Sequence, residues 1–224
     1  MKTTKRQKTW ADLDTAKTYS FADAIDALRP FASKKFDETL EIAIRLSIDV
    51  TKADQNIRGM LSLPNGTGKK VRVAVFTNDK SEEAKKAGAD VIGGDDLIEK
   101  VAAGQIDFDR VIATPDMMPK MSKVARVLGP KGLMPNPKLG TVTNDVAAAV
   151  ANAKAGQIEY RAEKNGIIHA GIGKMSFSTE KLVENANALV DQLKKVKPAS
   201  SKGQYILGIA VATTQGPGLH IDAK

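Results

Sequence analysis

The stretch Val71–Pro115, VRVAVFTNDKSEEAKKAGADVIGGDDLIEKVAAGQIDFDRVIATP, alternates short apolar runs with short helix-forming segments. VRVAVF, DVIGG and DRVIATP read as strands. SEEAKKAGA and DDLIEKVAAG read as helices that open on Ser or Asp and close on Gly. Parallel neighbours need a crossover between them, so strands separated by helices predict a parallel sheet within an α/β layer. The pattern continues beyond Pro115. Asp116 is placed to cap a helix that tolerates Pro119 in its first turn and stops at Gly129-Pro130. Met117, Met121, Val124 and Leu128 then share one face, and Lys120, Lys123 and Arg126 recur on another. A last helix, DVAAAVANAKAG, starts near Asn144 and closes at Gly156.

The flanks are written in a different style. In TLEIAIRLSID (39–49), Leu40, Ile42, Ile44, Leu46 and Ile48 alternate with mostly polar residues, the pattern of a half-buried strand. Ser20 is placed to cap a helix carrying Phe21, Ile25 and Leu28, and NIRGMLSLP reads as a further strand. Past Gly156 the alternation returns. QIEYRAEKNGIIHAGIG suggests two strands about Asn165-Gly166, although a strict two-residue loop would set Ile168 opposite Glu163, which leaves the register open. STEKLVENANALVDQLKKV aligns Leu182, Ala186, Leu189 and Leu193 on a helix. YILGIAVATT ends the series, with Leu207, Ile209 and Val211 on one side and Gly208, Ala210, Ala212 and Thr214 on the other. Matched styles at both ends predict an α/β fold of two domains, the first discontinuous. An α+β end domain would use 1–67 and 159–224, with a doubly wound, Rossmann-like domain inserted at 68–158 and Gly66, Gly68 and Gly156 as the hinge.

Formal charge is +8, from 34 Lys plus Arg against 26 Asp plus Glu, which favours a polyanionic partner. The proposed insert holds 14 against 11 and the remainder 20 against 15, so neither piece binds by bulk field alone and the placement of charge must matter. There is no cysteine, no apolar leader in MKTTKRQKTWADLD and no apolar run that could span a bilayer, so a cytoplasmic protein without a membrane partner is expected. Two histidines and ten aromatic residues are too few for a metal cluster or an aromatic base-stacking platform.

Candidate chemistry fails on spacing. NGTGKK (65–70) lacks the first Gly and the final Ser or Thr of a phosphate loop and precedes a strand, which suits a turn better. No G-x-G-x-x-G is present, and the pairs Asp95-Asp96 and Glu82-Glu83 sit at helix starts, where the helix dipole favours them. No catalytic residue, metal or cofactor is expected. What remains is VLGPKGLMPNPKLG (127–140), with three Pro and three Gly. From Met117 to Gly140, Lys120, Lys123, Arg126, Lys131 and Lys138 meet no acid, as a stiff contact surface for phosphates would require. A nucleotide-using enzyme built on the doubly wound insert is the alternative.

PKMSKVARVLGPKGLMPNPKLGTVT (119–143) resembles the signature of the bacterial large-subunit ribosomal protein L-one family, the lateral-stalk proteins. The likeness extends through KFDETLEIAIRLSID, DQNIRG, LPNGTGK, VRVAVF, NAKAGQIEYRAEKNGIIHAGIGK and the terminal TTQGPG. The resemblance implies a structural constituent of the large ribosomal subunit, a monomer off the ribosome, whose discontinuous end domain grips the stalk region of 23S rRNA. It also implies assistance in releasing exit-site tRNA and repression of the protein's own operon through a similar mRNA structure. Carried over by position, the rRNA and mRNA surface comprises Lys35, Phe36, Thr39, the hairpin from Lys164 through His169 to Gly173, and Thr213, Thr214, Gly216 and Pro217. The segment from Lys120 to Lys138 is a second basic surface whose RNA partner the resemblance does not name. The family usually has Met where this chain has Gln215, and often a polar residue near Gly208, so neither contact is carried over.

Overall fold

The computed structural model of the chain describes residues 4–222 except Arg6, Asp12 and Lys34. In chain order its strands are β1 (Thr18–Tyr19), β2 (Thr39–Leu46), β3 (Arg58–Ser62), β4 (Val73–Phe76), β5 (Val91–Gly93), β6 (Arg110–Ala113), β7 (Gln157–Arg161), β8 (Ile167–Lys174), β9 (Ile206–Thr213) and β10 (Gly218–Ile221). The α-helices are α1 (Phe21–Leu28), α2 (Ser81–Lys86), α3 (Asp95–Ala102), α4 (Met118–Met121), α5 (Ala125–Leu128), α6 (Val146–Lys154) and α7 (Thr179–Lys195). The chain divides into two compact units, one of Met1–Gly68 with Ile158–Lys224, the other Lys69–Gln157. Among the described residues no helix is long and apolar enough to cross a membrane.

The two-ended unit is built on a five-stranded sheet of order β1-β10-β9-β2-β8, antiparallel except for β1 beside β10. The alternation of β2 buries Leu40, Ile42, Ile44 and Leu46 with Ile168 and Ile172 of β8, and with Ile209 and Val211 of β9. Onto this face pack Ala24, Ile25 and Leu28 of α1 and Leu182, Ala186, Leu189 and Leu193 of α7. Each large apolar side chain so covered contributes about 1.5–3 kcal/mol relative to exposure. Ser20 does cap α1, accepting the Asp23 amide at 3.2 Å. On the other face Glu41, Arg45, His169 and His220 are exposed, and Ala43, Gly171, Gly208, Ala210 and Ala212 are half-exposed.

Register departs from expectation at Leu207 and is fixed at the hairpin where the sequence leaves it open. Leu207, expected to share the side of Ile209 and Val211, is 47 % exposed while they are buried. Pairing between β2 and β9 slips at this point, with Arg45 opposite Gly208 and Leu46 opposite Ile206. Leu207 is therefore the extra residue of a bulge, and Ile206 takes the buried place. At Asn165-Gly166 the loop has three residues, Lys164 to Gly166, with Gly166 at φ 73°. The Glu163 amide donates to Ile167 O (2.9 Å) and Ala162 bridges to Ile168, which buries Ile168. The strands leaving this turn then part company, because β7 pairs with β3 in a separate two-stranded sheet.

The other unit has a parallel sheet of order β5-β4-β6, extended by a bridge from Ala113 to Val142. Phe76, Leu97, Val101, Met117, Met121 and Leu128 form the core on one face. Val73, Val75, Ala84, Ile112, Val146 and Val150 form it on the other, so the sheet is covered on both sides as a doubly wound layer requires. The single helix expected from Asp116 is instead a chain of short turns. A 3-10 turn at Pro115–Met117, entered from Thr114, leads to α4, a second 3-10 turn at Ser122–Val124, and α5. Pro119 stands in the first turn of α4, where a proline is tolerated, and the 3-10 turn that divides α4 from α5 lies beyond it. The apolar face survives, with Met117, Met121, Val124 and Leu128 fully buried.

Two aspartates clip the start of β4. Asp90 accepts the Val73 amide (2.9 Å) and pairs with Lys154 (3.2 Å); Asp109 pairs with Lys69 (2.7 Å) and accepts the Arg72 amide (3.2 Å). The Val73 amide holds the Asp90 carboxyl below its ordinary value of 3.8, and the Lys69 hydrogen bond does the same for Asp109. Folded-state values below the unfolded value mean that this stabilisation is present above about pH 4 and lost as pH falls through the folded values. Urea unfolding of the chain at a series of pH values should show this unit weakening below about pH 4. Asp109→Asn should flatten part of that dependence; a variant as acid-sensitive as the parent would dismiss the clip.

Candidate nucleic-acid interface

Three segments far apart in sequence meet where β2 begins and β8 and β9 end. The Thr39 amide donates to Thr214 Oγ1 (3.0 Å), and the Thr214 amide donates to Thr39 O (3.1 Å). Lys174 Nζ donates to Thr39 Oγ1 (2.9 Å) and Asp37 O (3.1 Å). The Met175 amide donates to Glu38 O (2.8 Å), and Ser176 donates from amide and hydroxyl to the Asp37 carboxylate (3.1 and 2.7 Å). Arg29 braces the same turn, donating to Met175 O and Phe177 O at 3.0 Å each. The strand ends are thereby fixed relative to one another by hydrogen bonds.

Lys35 and Phe36 stand out from this corner, with Phe36 43 % exposed. Thr214 is also exposed. Its neighbour Thr213 turns the other way because β9 alternates. It shares the inward face of Ile209 and Val211, is 4 % exposed, and its hydroxyl has no hydrogen-bond partner among the described residues. Of the two threonines, Thr214 is therefore the one at the surface, its hydroxyl accepting the Thr39 amide and donating to Thr39 O (3.3 Å). Gly216 is needed for the turn itself, since a Cβ there would run into the Thr213 hydroxyl. Pro217 is buried. Gly173 is buried as well, and an added Cβ would lie 2.6 Å from Leu182, so this glycine serves the packing of α7 against β8.

The remaining hairpin residues are not gathered at the corner. His169 is exposed midway along β8, opposite Ala43, with Nε2 3.7 Å from a Glu163 carboxylate oxygen. Lys164 lies at the far end of the sheet, beyond the Arg45–Ile167 pair. The positional resemblance groups these residues by number, whereas β8 runs its length between them.

Glu38 is a residue the sequence reading missed. It is 1 % exposed, Oε1 accepts the Ser33 amide (2.9 Å), and Oε2 lies 3.4 Å from the Gln215 amide. One carboxylate thus joins the loop that carries Lys35 and Phe36 to the turn that carries Thr214. Parity was the available signal. Glu38 has the inward parity of Leu40 and Ile42, and an acid on the buried side of a strand requires partners.

In the other unit Lys123, Arg126, Lys131 and Lys138 are exposed and meet no acid partner among the described residues. Lys120 departs from this group, pairing with Asp95 at 2.7 Å. The loop after α5 is held from within: Asn136 Oδ1 accepts the Lys138 amide (2.9 Å), the Asn136 amide donates to Thr141 Oγ1 (2.8 Å), and Gly140 adopts φ 66°. A hollow at the carboxyl ends of β4 and β5 is lined by Thr77, Asn78, Gly93, Gly94, Asp95 and Asp96, among others. Its rim carries Asp95, paired with Lys120, and Asp96 as well as Lys85, so it offers a phosphate no excess of positive charge, which weighs against the nucleotide-enzyme alternative.

The connections between the units also have defined geometry. Gly66, Gly68 and Gly156 hold φ of 65°, 71° and 89°. Gly66 O accepts from Asn185 Nδ2 (2.9 Å), and a Cβ on Gly68 would come within 3.0 Å of Lys174 and Phe177. Both are therefore tied into the two-ended unit. Compared with known families, the chain matches the model of the Ribosomal protein L1p/L10e family over residues 28–217.

Proposed function

Because the chain belongs to the Ribosomal protein L1p/L10e family, a family of ribosomal RNA-binding constituents and not of enzymes, we propose that its two-ended unit holds a folded segment of large-subunit rRNA at the Thr39–Thr214 corner. The convergence of Lys35, Phe36, Thr39 and Thr214 on one braced strand end carries this reading. Lys35 supplies charge for phosphate, Phe36 an apolar contact, and the Thr214 hydroxyl keeps an acceptor lone pair that a ribose 2′-OH can satisfy. Rigid, hydrogen-bonded segments need little ordering on binding, which suits recognition of RNA by shape.

Thr214→Val should weaken binding to a stalk fragment of large-subunit rRNA by about 1–2 kcal/mol, roughly tenfold, as loss of one buried polar contact would. Titration of wild type and variant under the same salt checks this, and equal affinities would remove Thr214 from the site. The same corner would bind an mRNA structure shaped like the rRNA segment, repressing the protein's own operon; such an mRNA should compete with the rRNA fragment for the full chain. The cationic face from Lys123 to Lys138 is the part of the other unit suited to a second RNA, and exit-site tRNA is the expected partner. Gly66 and Gly68 are anchored, so any hinge movement on the ribosome would begin after Gly68 and near Gly156. The protein would act in the cytoplasm, as a monomer when off the ribosome.

A further inference from the structure

We infer that the RNA footprint of the two-ended unit extends along the open sheet face to a second phosphate anchor, formed by Arg45, Lys164 and Lys202 at the hairpin end. This rests on the rRNA-binding reading above and enlarges its site. The hairpin end carries a hollow of about 470 Å³, lined in part by Arg45, Ser47, Gln55, Asn165, Ser200 and Lys202. Lys164 is on the adjoining turn. All three cations are exposed, and none has an acid partner among the described residues.

The acids nearby are already engaged. Asp49 accepts from the Thr51 hydroxyl (2.6 Å) and lies 4.0 Å from Lys52, Asp54 accepts from Ser200 (2.6 Å), and Glu163 faces His169. Arg45 and Lys202 line the hollow together with Lys52 and one carboxylate, Asp49, and Lys164 adds charge from the turn, so cations predominate around hydroxyl and amide groups, as a phosphodiester requires. The surface between the two ends is low. Rows of partners place Glu41 beside Ala212 and Gly171, Ala43 beside Ala210 and His169, and Arg45 beside Gly208 and Ile167. A Cβ added at Gly208 would meet nothing within 4 Å. From Thr39 to Arg45 the strand rises about 20 Å at roughly 3.3 Å per residue, enough for a ribose-phosphate strand to touch both ends. Glu41, the acid on this path, is an acceptor that a 2′-OH can satisfy and a phosphate cannot.

The test uses the full chain and a stalk fragment of large-subunit rRNA, titrated across a range of salt. Arg45→Gln/Lys164→Gln/Lys202→Gln should bind about tenfold more weakly at low salt, with the log–log salt slope shallower by roughly 2, since each lost phosphate contact removes about 0.7–0.9. Arg45→Lys/Lys164→Arg/Lys202→Arg should keep the parental slope. Unchanged affinity and slope in the triple Gln variant, with Thr214→Val impaired, would overturn the anchor and leave the corner standing. Weaker binding with an unchanged slope would overturn it too, because no phosphate contact would have been lost. If Thr214→Val and the triple variant both bind as the parent does, the corner falls with the anchor.

Discussion

Glu38→Ala is expected to cost the two-ended unit about 3 kcal/mol of unfolding free energy and to weaken rRNA binding by a similar amount, roughly a hundredfold. The carboxylate is 1 % exposed and lies against the Ser33 and Gln215 amides, so its removal leaves two donors facing a small cavity. Hydrogen bonds to a charged acceptor contribute about 1.5–3 kcal/mol each, and water entering the cavity offsets part of the loss. The binding deficit has a separate origin. Without the latch, the Lys35–Phe36 loop and the Thr214 turn must be ordered by the RNA itself, and that ordering is subtracted from affinity. No phosphate contact is removed, so the salt dependence should stay parental, whereas Lys35→Gln should make it shallower. Glu38→Gln should fall between the parent and Ala, because its amide keeps one acceptor while turning donors toward a neighbouring N–H. Urea unfolding and RNA titration of the three chains would decide the matter; parental affinity in Glu38→Ala would dismiss the latch.

How much of this was readable from the residues varies with the physical signal. The strict alternation of TLEIAIRL could be satisfied only by a strand with one buried face, and β2 is that strand. The strand and helix alternation of 71–115 likewise demanded crossovers, and β4, β5 and β6 are parallel. Alternation cannot register an inserted residue, so the bulge that expels Leu207 was invisible: Leu207 and Ile206 are equally apolar, and only the partner strand decides which is buried. The break in the 115–128 segment falls at Ser122–Val124, where no residue marks it, since Pro119 stands in the first turn of α4, a place that tolerates proline. Glu38 went unrecognised because an acid beside Asp37 at a strand entrance reads as solvated, although its parity pointed inward. Lys164 and Thr214 could be named from the resemblance, but their separation is a property of the antiparallel pairing of β8 with β2, which no list of positions contains.

Asn185→Ala should produce the largest loss of stability, about 3–5 kcal/mol, from a residue that touches no part of the proposed RNA surface. Asn185 is fully buried on α7. Its Nδ2 donates to Gly66 O (2.9 Å) and Ile172 O (2.7 Å), and its Oδ1 accepts the Asn65 amide (3.1 Å). One side chain therefore satisfies three backbone groups, joining α7 to β8 and to the loop that leads out of the unit. Ala would strand all three at about 1–2 kcal/mol each, and Leu, though similar in volume, would strand them as completely. Asp would restore the acceptor yet set carboxylate oxygens against two carbonyls, so it should not rescue. Hydrogen exchange at the Asn65 amide should quicken together with the fall in the urea midpoint, and a loss under about 1 kcal/mol would show that water replaces the amide without penalty. The effect should also reach the RNA corner. Gly68 lies against Lys174 and Phe177, and Lys174 holds Thr39. A loosened 65–68 loop gives Lys174 room to leave, so rRNA affinity is expected to decline at temperatures where the variant is still folded.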